Sequence, residues 1–175
     1  MKICILSPGR CGSNFLFNLL LLRYYDNREN LVHTHDEKVA EQLEKQDFKI
    51  VTLRRRNMLE WVLSDRISNH VPGGIQKEIE YYKSGNVDNV IITKDEYQLR
   101  RQQLIDHLSL YSSKWVIFYY EDLVENPFKI IHCIFFRQLQ WRGGQEKLQY
   151  KKSEIVINYD EIVNLENQLQ QINPY

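Results

Sequence analysis

The chain has 175 residues, 43% of them hydrophobic and 26% charged, which suits one soluble domain (1–175) with a proper core and asks for no second. Lysine plus arginine and aspartate plus glutamate both number 23, so no global field favours nucleic acid or an anionic membrane as partner. The three cysteines (Cys4, Cys11 and Cys133) are widely spaced and form neither a disulfide framework nor a metal-ligand pair, which points to a reducing, cytoplasmic setting.

A lone lysine and five residues before a Pro-Gly break do not make a signal peptide. Residues 2–6 (KICIL) read as a short buried strand. After Pro8-Gly9-Arg10-Cys11-Gly12-Ser13-Asn14 comes a helix over about 13–25 that is apolar on most sides, as expected between a sheet and other elements. Its apolar run, Phe15 to Leu22 broken by Asn18, falls short of the ~20 residues that span a bilayer. Residues 30–36 (NLVHTHD) form a second strand ending in polar residues, 37–45 a polar surface helix, and 48–53 (FKIVTL) a third strand.

Asn57 with Glu60 three positions on predicts a capped helix over about 58–69, and Val71-Pro72-Gly73-Gly74 breaks the chain. Thr93 with Glu96 starts another helix, with Tyr97, Leu104, Leu108 and Tyr111 on its apolar face. Residues 114–120 (KWVIFYY) are an apolar strand. Asn126-Pro127 then opens a helix with Phe128, Ile131, Ile134 and Phe135 inward. Asn158 with Glu161 caps a last helix carrying Ile162, Leu165, Leu169 and Ile172. Trp61, Trp115 and Trp141 read as core or helix-packing residues.

Strands alternating with helices predict an α/β fold, a short parallel sheet flanked by helices on both faces in a three-layer sandwich. Ligands of such sheets bind at the carboxyl ends of the strands. That rule gathers Arg10 to Asn14, His33 to Asp36, Arg54 to Asn57 and Tyr120 to Asp122 into one crevice.

The 8–14 loop has the makings of an anion cradle. Gly9 and Gly12 permit a sharp turn and close approach, the helix start offers N–H groups and a positive dipole end, and Arg10 adds a planar cation. It is not a Walker A loop, since GxxxxGK[ST] is absent. In TLRRRNMLEWVLSDR, Arg56 ends the third strand and Ser64 lies about 10 Å along the next helix, so both can reach one phosphate. Arg54 and Arg55 read as a solvated basic turn.

These stretches resemble the sulfotransferases that use 3′-phosphoadenosine 5′-phosphosulfate (PAPS), with wording most similar to bacterial carbohydrate and glycolipid members. Pro8 to Asn14 matches the family's P-x-[RK]-[SC]-G-[ST]-[TSN] loop for the 5′-phosphosulfate, and Arg56-Asn57 through Ser64 matches its R-[DN]-x6-S segment for the 3′-phosphate. HTHD (33–36) is similar to the cytosolic branch's K-T-H, with His35 at the catalytic base and His33 in place of the lysine. YEDLVENP (120–127) is similar to Y-E-D-[LM]-x-x-[DN]-P, whose tyrosine packs on adenine.

The resemblance covers residues 2–65 and 114–136 and implies a P-loop-NTPase-like sulfotransferase fold. Residues 66–113, where family members build the acceptor pocket, have no counterpart, and the cytosolic C-terminal R-K-G is absent as such; Lys151 and Lys152 are preferred over Arg142-Gly143-Gly144 as its stand-in. The implied reaction is sulfuryl transfer from PAPS to a hydroxyl of a small-molecule or glycan acceptor, releasing 3′-phosphoadenosine 5′-phosphate (PAP), with no metal.

Arg10 and His35 are the implied catalytic residues, and Arg10, Cys11, Gly12, Ser13, Asn14, Arg56, Ser64, Tyr120, Lys151 and Lys152 the implied donor-binding residues. A histidine's ordinary pKa near ~6.5 suits a base at neutral pH, and Asp36, Glu60 and Asp65 are its rivals. Tyr119 competes with Tyr120 for the adenine, since strand alternation lets only one face the crevice. Cys11 stands where relatives carry serine, at a helix start beside Arg10 that would lower a thiol pKa; a small-residue placeholder is the preferred reading. Tyr81, Tyr82, Tyr97 and Arg100-Arg101 are candidates for a sugar or lipid headgroup site or for solvated helix faces. Two other readings are an inactive PAPS- or PAP-binding protein and a small-molecule kinase, which the missing Walker lysine disfavours.

Overall fold

The computed structural model describes residues 1–22, 24, 26–71, 77–78, 80–81, 84, 90–111, 115–135, 156 and 158–172. The chain falls into two compact units, each made of two stretches: Met1–Arg56 with His107–Glu146, and Asn57–Asp106 with Lys147–Tyr175. Lys151, Lys152, Trp141 and the Arg142-Gly143-Gly144 and Pro72-Gly73-Gly74 segments lie outside the described residues. Among the described residues no helix is long and apolar enough to cross a membrane.

The first unit is built on a four-stranded, all-parallel sheet: β1 (Lys2–Leu6), β2 (Leu31–Thr34), β3 (Phe48–Arg54) and β4 (Val116–Tyr119), in the order β2-β1-β3-β4. Helices α1 (Ser13–Leu21) and α2 (Glu37–Glu44) connect the first three strands. The register pairs Ile5 with His33 and Val51, and Leu6 with Thr34 and Thr52. Interior β1 is buried from Ile3 to Leu6, which is why it reads as a continuous apolar run.

Paired residues of parallel strands share a sheet face and residues two apart return to it. Cys4, Leu6 and Ile50 therefore face one way, into a core with Ala40 of α2, Phe48, Tyr111 and Trp115. Ile5, Val51 and His33 face the other way, and Phe17 of α1 lies against His33 with ring centroids 6.0 Å apart. The unit is thus α/β with helices flanking a parallel sheet.

Several apolar residues are placed differently from their expected burial. Among the described residues edge strand β4 has one strand neighbour, and Val116 and Ile117 are exposed although its sequence reads as core. It ends at Tyr119, and Tyr120 begins a six-residue helix, α5 (Tyr120–Glu125). In α6 (Pro127–Phe135), Asn126 accepts the Lys129 N–H at 3.0 Å, as its position before Pro127 predicts. The inner face is Ile130, Ile131 and Ile134, with Phe128 exposed, so the stripe is turned about a residue from the expected one. Helix α1 is half-buried, through Ser13, Leu16, Leu19 and Leu20, and Leu22 beyond its end is exposed.

The second unit contains α3 (Met58–His70), most of α4 (Lys94–Ser109) and α7 (Tyr159–Ile172). Asn57 caps α3 by accepting the Glu60 N–H at 3.0 Å. Thr93 and Glu96 form the reciprocal box at the start of α4, each side chain accepting the other's backbone N–H, at 3.2 and 2.9 Å. Asn158 precedes α7 but does not cap it with its side chain, which accepts the Ile92 N–H at 3.1 Å and donates to the Ile92 carbonyl at 2.6 Å. It secures the chain where Val90 and Val156 form a parallel bridge.

Buried polar chemistry holds this unit. Glu166 accepts from the Tyr97 hydroxyl at 2.8 Å and from Arg101 Nε at 2.9 Å through one oxygen, and from Gln170 at 3.0 Å through the other. Tyr97, Arg101 and Glu166 are all almost fully buried. Arg100 binds Asp65 through two hydrogen bonds of 2.7 and 2.9 Å. Tyr97 and Arg101 are therefore neither solvated nor available to an acceptor. Removing one member of a buried pair strands the other charge. Glu166→Ala is expected to lower unfolding stability by about 3–5 kcal/mol, read from the urea midpoint, and Gln170→Ala by far less.

Candidate active site

Because the sheet is parallel, all four strands deliver their chain exits to one edge. At the centre is the exit of β1. The backbone after Pro8 takes left-handed geometry twice, at Arg10 (φ 65°) and Gly12 (φ 73°). A glycine adopts this freely, whereas a residue with a Cβ does so at a cost. Gly12 is required for a second reason: a Cβ there would overlap the Tyr120 ring. Helix α1 then starts with no side-chain cap, so its first N–H groups face the loop. Cys11 is fully buried and Ser13 nearly so, which suits small space-filling residues, while Asn14 is exposed.

On one side lies the exit of β2. His35 Nδ1 is 2.6 Å from the Ser7 carbonyl oxygen. A carbonyl only accepts, so Nδ1 carries the hydrogen and Nε2 of the neutral ring is the acceptor. His33 stands edge-on to His35 with centroids 4.7 Å apart. Burial, with a smaller contribution from His35, pushes the His33 pKa down from 6.5 to about 4, so it is neutral at neutral pH. Its Nε2 and the buried Ser7 hydroxyl have no hydrogen-bond partner among the described residues. Asp36 is committed to capping α2, accepting the Lys38 N–H at 2.8 Å, and Asp65 to Arg100; two of the three rivals of His35 thus have structural duties.

On the other side β3 ends in three arginines, and each stacks on a different tyrosine. Arg54 lies over Tyr111 at 5.4 Å, Arg55 over Tyr120 at 4.3 Å and Arg56 over Tyr119 at 4.1 Å. Arg54 and Arg55 are half-buried, which corrects their reading as a solvated turn. Arg56 also makes a two-pronged ion pair with Asp122, both bonds 2.7 Å, and its backbone N–H donates to Glu121. That hydrogen-bonded pairing raises the Arg56 pKa and holds Asp122 below the usual carboxylate range. Burial, then the nearby Cys11, pushes the Tyr111 phenol up against the pull of Arg54.

Arg10, Gly12, Ser13, Asn14, His35, Arg56 and Tyr120 thus all belong to one edge of one unit. Tyr120, not Tyr119, touches the loop glycine, and it does so from the first turn of α5 rather than from a strand. Ser64 belongs to α3 in the second unit and is buried there. The roles of Ser7, Arg54 and Arg55 escaped the sequence reading; the three tyrosines that could partner an RRR run were its one available signal.

The edge suits an anionic ligand: an uncapped helix start and four arginines. No protein-family model matches this sequence, and no curated protein matches it either.

His33 also gives a pH signature. Its folded pKa lies below the unfolded value, so the unfolded chain binds more protons between the two. Its contribution to stability is full above pH 6.5 and lost as pH falls toward about 4. Urea midpoints measured over this window should fall with acid in the parent and more shallowly in His33→Gln.

Proposed function

We propose that this chain is a sulfotransferase with the P-loop-like fold of that family, moving a sulfuryl group from PAPS to an acceptor hydroxyl. One observation carries the reading: the left-handed loop at Arg10 and Gly12 opens onto an uncapped helix start at the end of the interior strand. A histidine follows one neighbouring strand and an arginine run ends the other. The order and spacing of these features along the sequence match the family's.

In this reading the first N–H groups of α1 and Arg10 bind the 5′-phosphosulfate, and Arg56 binds the 3′-phosphate. The acceptor oxygen attacks sulfur while the sulfur bond to the 5′-phosphate oxygen breaks, and PAP leaves with that electron pair. Arg10 and the helix start stabilise the charge building on the leaving oxygen. His35 takes the hydroxyl proton on Nε2, the nitrogen left as acceptor once Nδ1–H donates to Ser7. The acceptor is a small molecule or glycan, with a carbohydrate or glycolipid hydroxyl the preferred class.

Two measurements test this. Calorimetry should show PAP binding at least about ten-fold tighter than ATP, equivalent to about 1.4 kcal/mol; a preference for ATP would leave the kinase reading instead. Transfer from labelled PAPS to a panel of sugars, lipids and phenols should fall about 10²- to 10⁴-fold in His35→Ala, with PAP affinity retained. Turnover within a few fold of the parent would put the base elsewhere, and no transfer by the parent would leave the inactive nucleotide-binding reading.

A further inference from the structure

We propose that Asp122 is an internal competitor for the 3′-phosphate seat at Arg56 and sets how readily the product nucleotide leaves; this rests on the sulfotransferase reading above. A guanidinium presents two parallel N–H donors, and the same fork that grips a phosphate grips a carboxylate. In this chain the fork is filled from inside: Nη1 and Nη2 of Arg56 each lie 2.7 Å from a different Asp122 oxygen.

Three features make this an exchangeable occupant rather than a structural lock. Both partners are open to solvent, with side-chain exposures of 50% and 39%, so the pair opens without disturbing a core. Arg56 has two further supports, the Tyr119 ring at 4.1 Å and the Glu121 carboxylate on its backbone N–H, so its position survives the departure of Asp122. The groups that hold Arg56 all come from one short segment, Tyr119 to Asp122, whose Tyr120 touches the loop at Gly12. A phosphate dianion outbids a carboxylate monoanion for this fork, whereas a 3′-hydroxyl does not. Asp122 then returns to Arg56 as PAP departs, lowering the barrier to release.

The test compares the full-length parent with Asp122→Asn, using PAP and adenosine 5′-phosphate, which lacks the 3′-phosphate. Calorimetry and stopped-flow should show PAP binding about five-fold tighter in the variant, as expected for an exposed ion pair. Its dissociation should be slower by a similar factor, with adenosine 5′-phosphate unchanged. Asp122→Ser, with thermal unfolding of both variants, keeps the comparison clear of folding defects. PAP bound selectively but equally by parent and variants, or more weakly by the variants, overturns the competition and leaves the sulfotransferase reading intact. PAP bound no better than adenosine 5′-phosphate by any of these proteins overturns both.

Discussion

The parallel register of β1 between β2 and β3 is the constraint on which the site depends. A parallel sheet has no hairpins, so every strand must end at the same edge and each connection must cross a face to begin again. The exits after Leu6, Thr34, Arg54 and Tyr119 therefore share one edge because hydrogen-bond geometry leaves no other place for them. β1 sits inside the sheet, so its exit has a neighbour on both sides: the histidine pair and the arginine run. The left-handed turns at Arg10 and Gly12 aim the start of α1 back at that edge. The Tyr120 ring against Gly12 explains why the second turn has no room for a side chain.

Concentrating positive charge at this edge carries its own difficulty. Arg54, Arg55 and Arg56 are consecutive like charges, and a solvated run of them would be mobile and self-repelling. Each is held by a different aromatic ring, and the last also by carboxylates. Stacking fixes a guanidinium's plane without consuming its in-plane donors, so each arginine is ordered by its ring. The electrostatics of the edge is set by these tyrosines as much as by the arginines themselves.

The sequence was most legible where structure is local. The caps at Asn57, Thr93 and Asn126 depend on residues three apart, and all three fall where their spacing predicts. The buried run of β1 and the loop into α1 are equally local. Asn158 shows the limit: its position before α7 was correct, but its side chain is spent on Ile92, 66 residues away, which no local rule reveals. Arg101 fails in the same way, since its burial depends on Glu166, an ordinary surface residue to a sequence reader, whereas Tyr97 is buried as its place on the apolar face of α4 predicts. Val116 and Phe128 err in the other direction, because apolar character does not say whether a strand is at an edge or how a short helix is rotated. In the site, Arg10, Gly12, His35 and Arg56 could be named from local pattern, whereas the tyrosine partners of the arginines could not.

The histidine pair shows the same edge acting on a titratable group. Two rings with centroids 4.7 Å apart resist carrying a positive charge together. Burial resolves the competition on the His33 side by favouring its neutral form. The Ser7 carbonyl then decides which nitrogen takes part, because a fixed Nδ1–H directs acceptor capacity to Nε2. A backbone carbonyl at the end of β1 thus orients the His35 ring beside the loop that leads into α1. The register that gathers the positive charge at this edge also sets the orientation of His35.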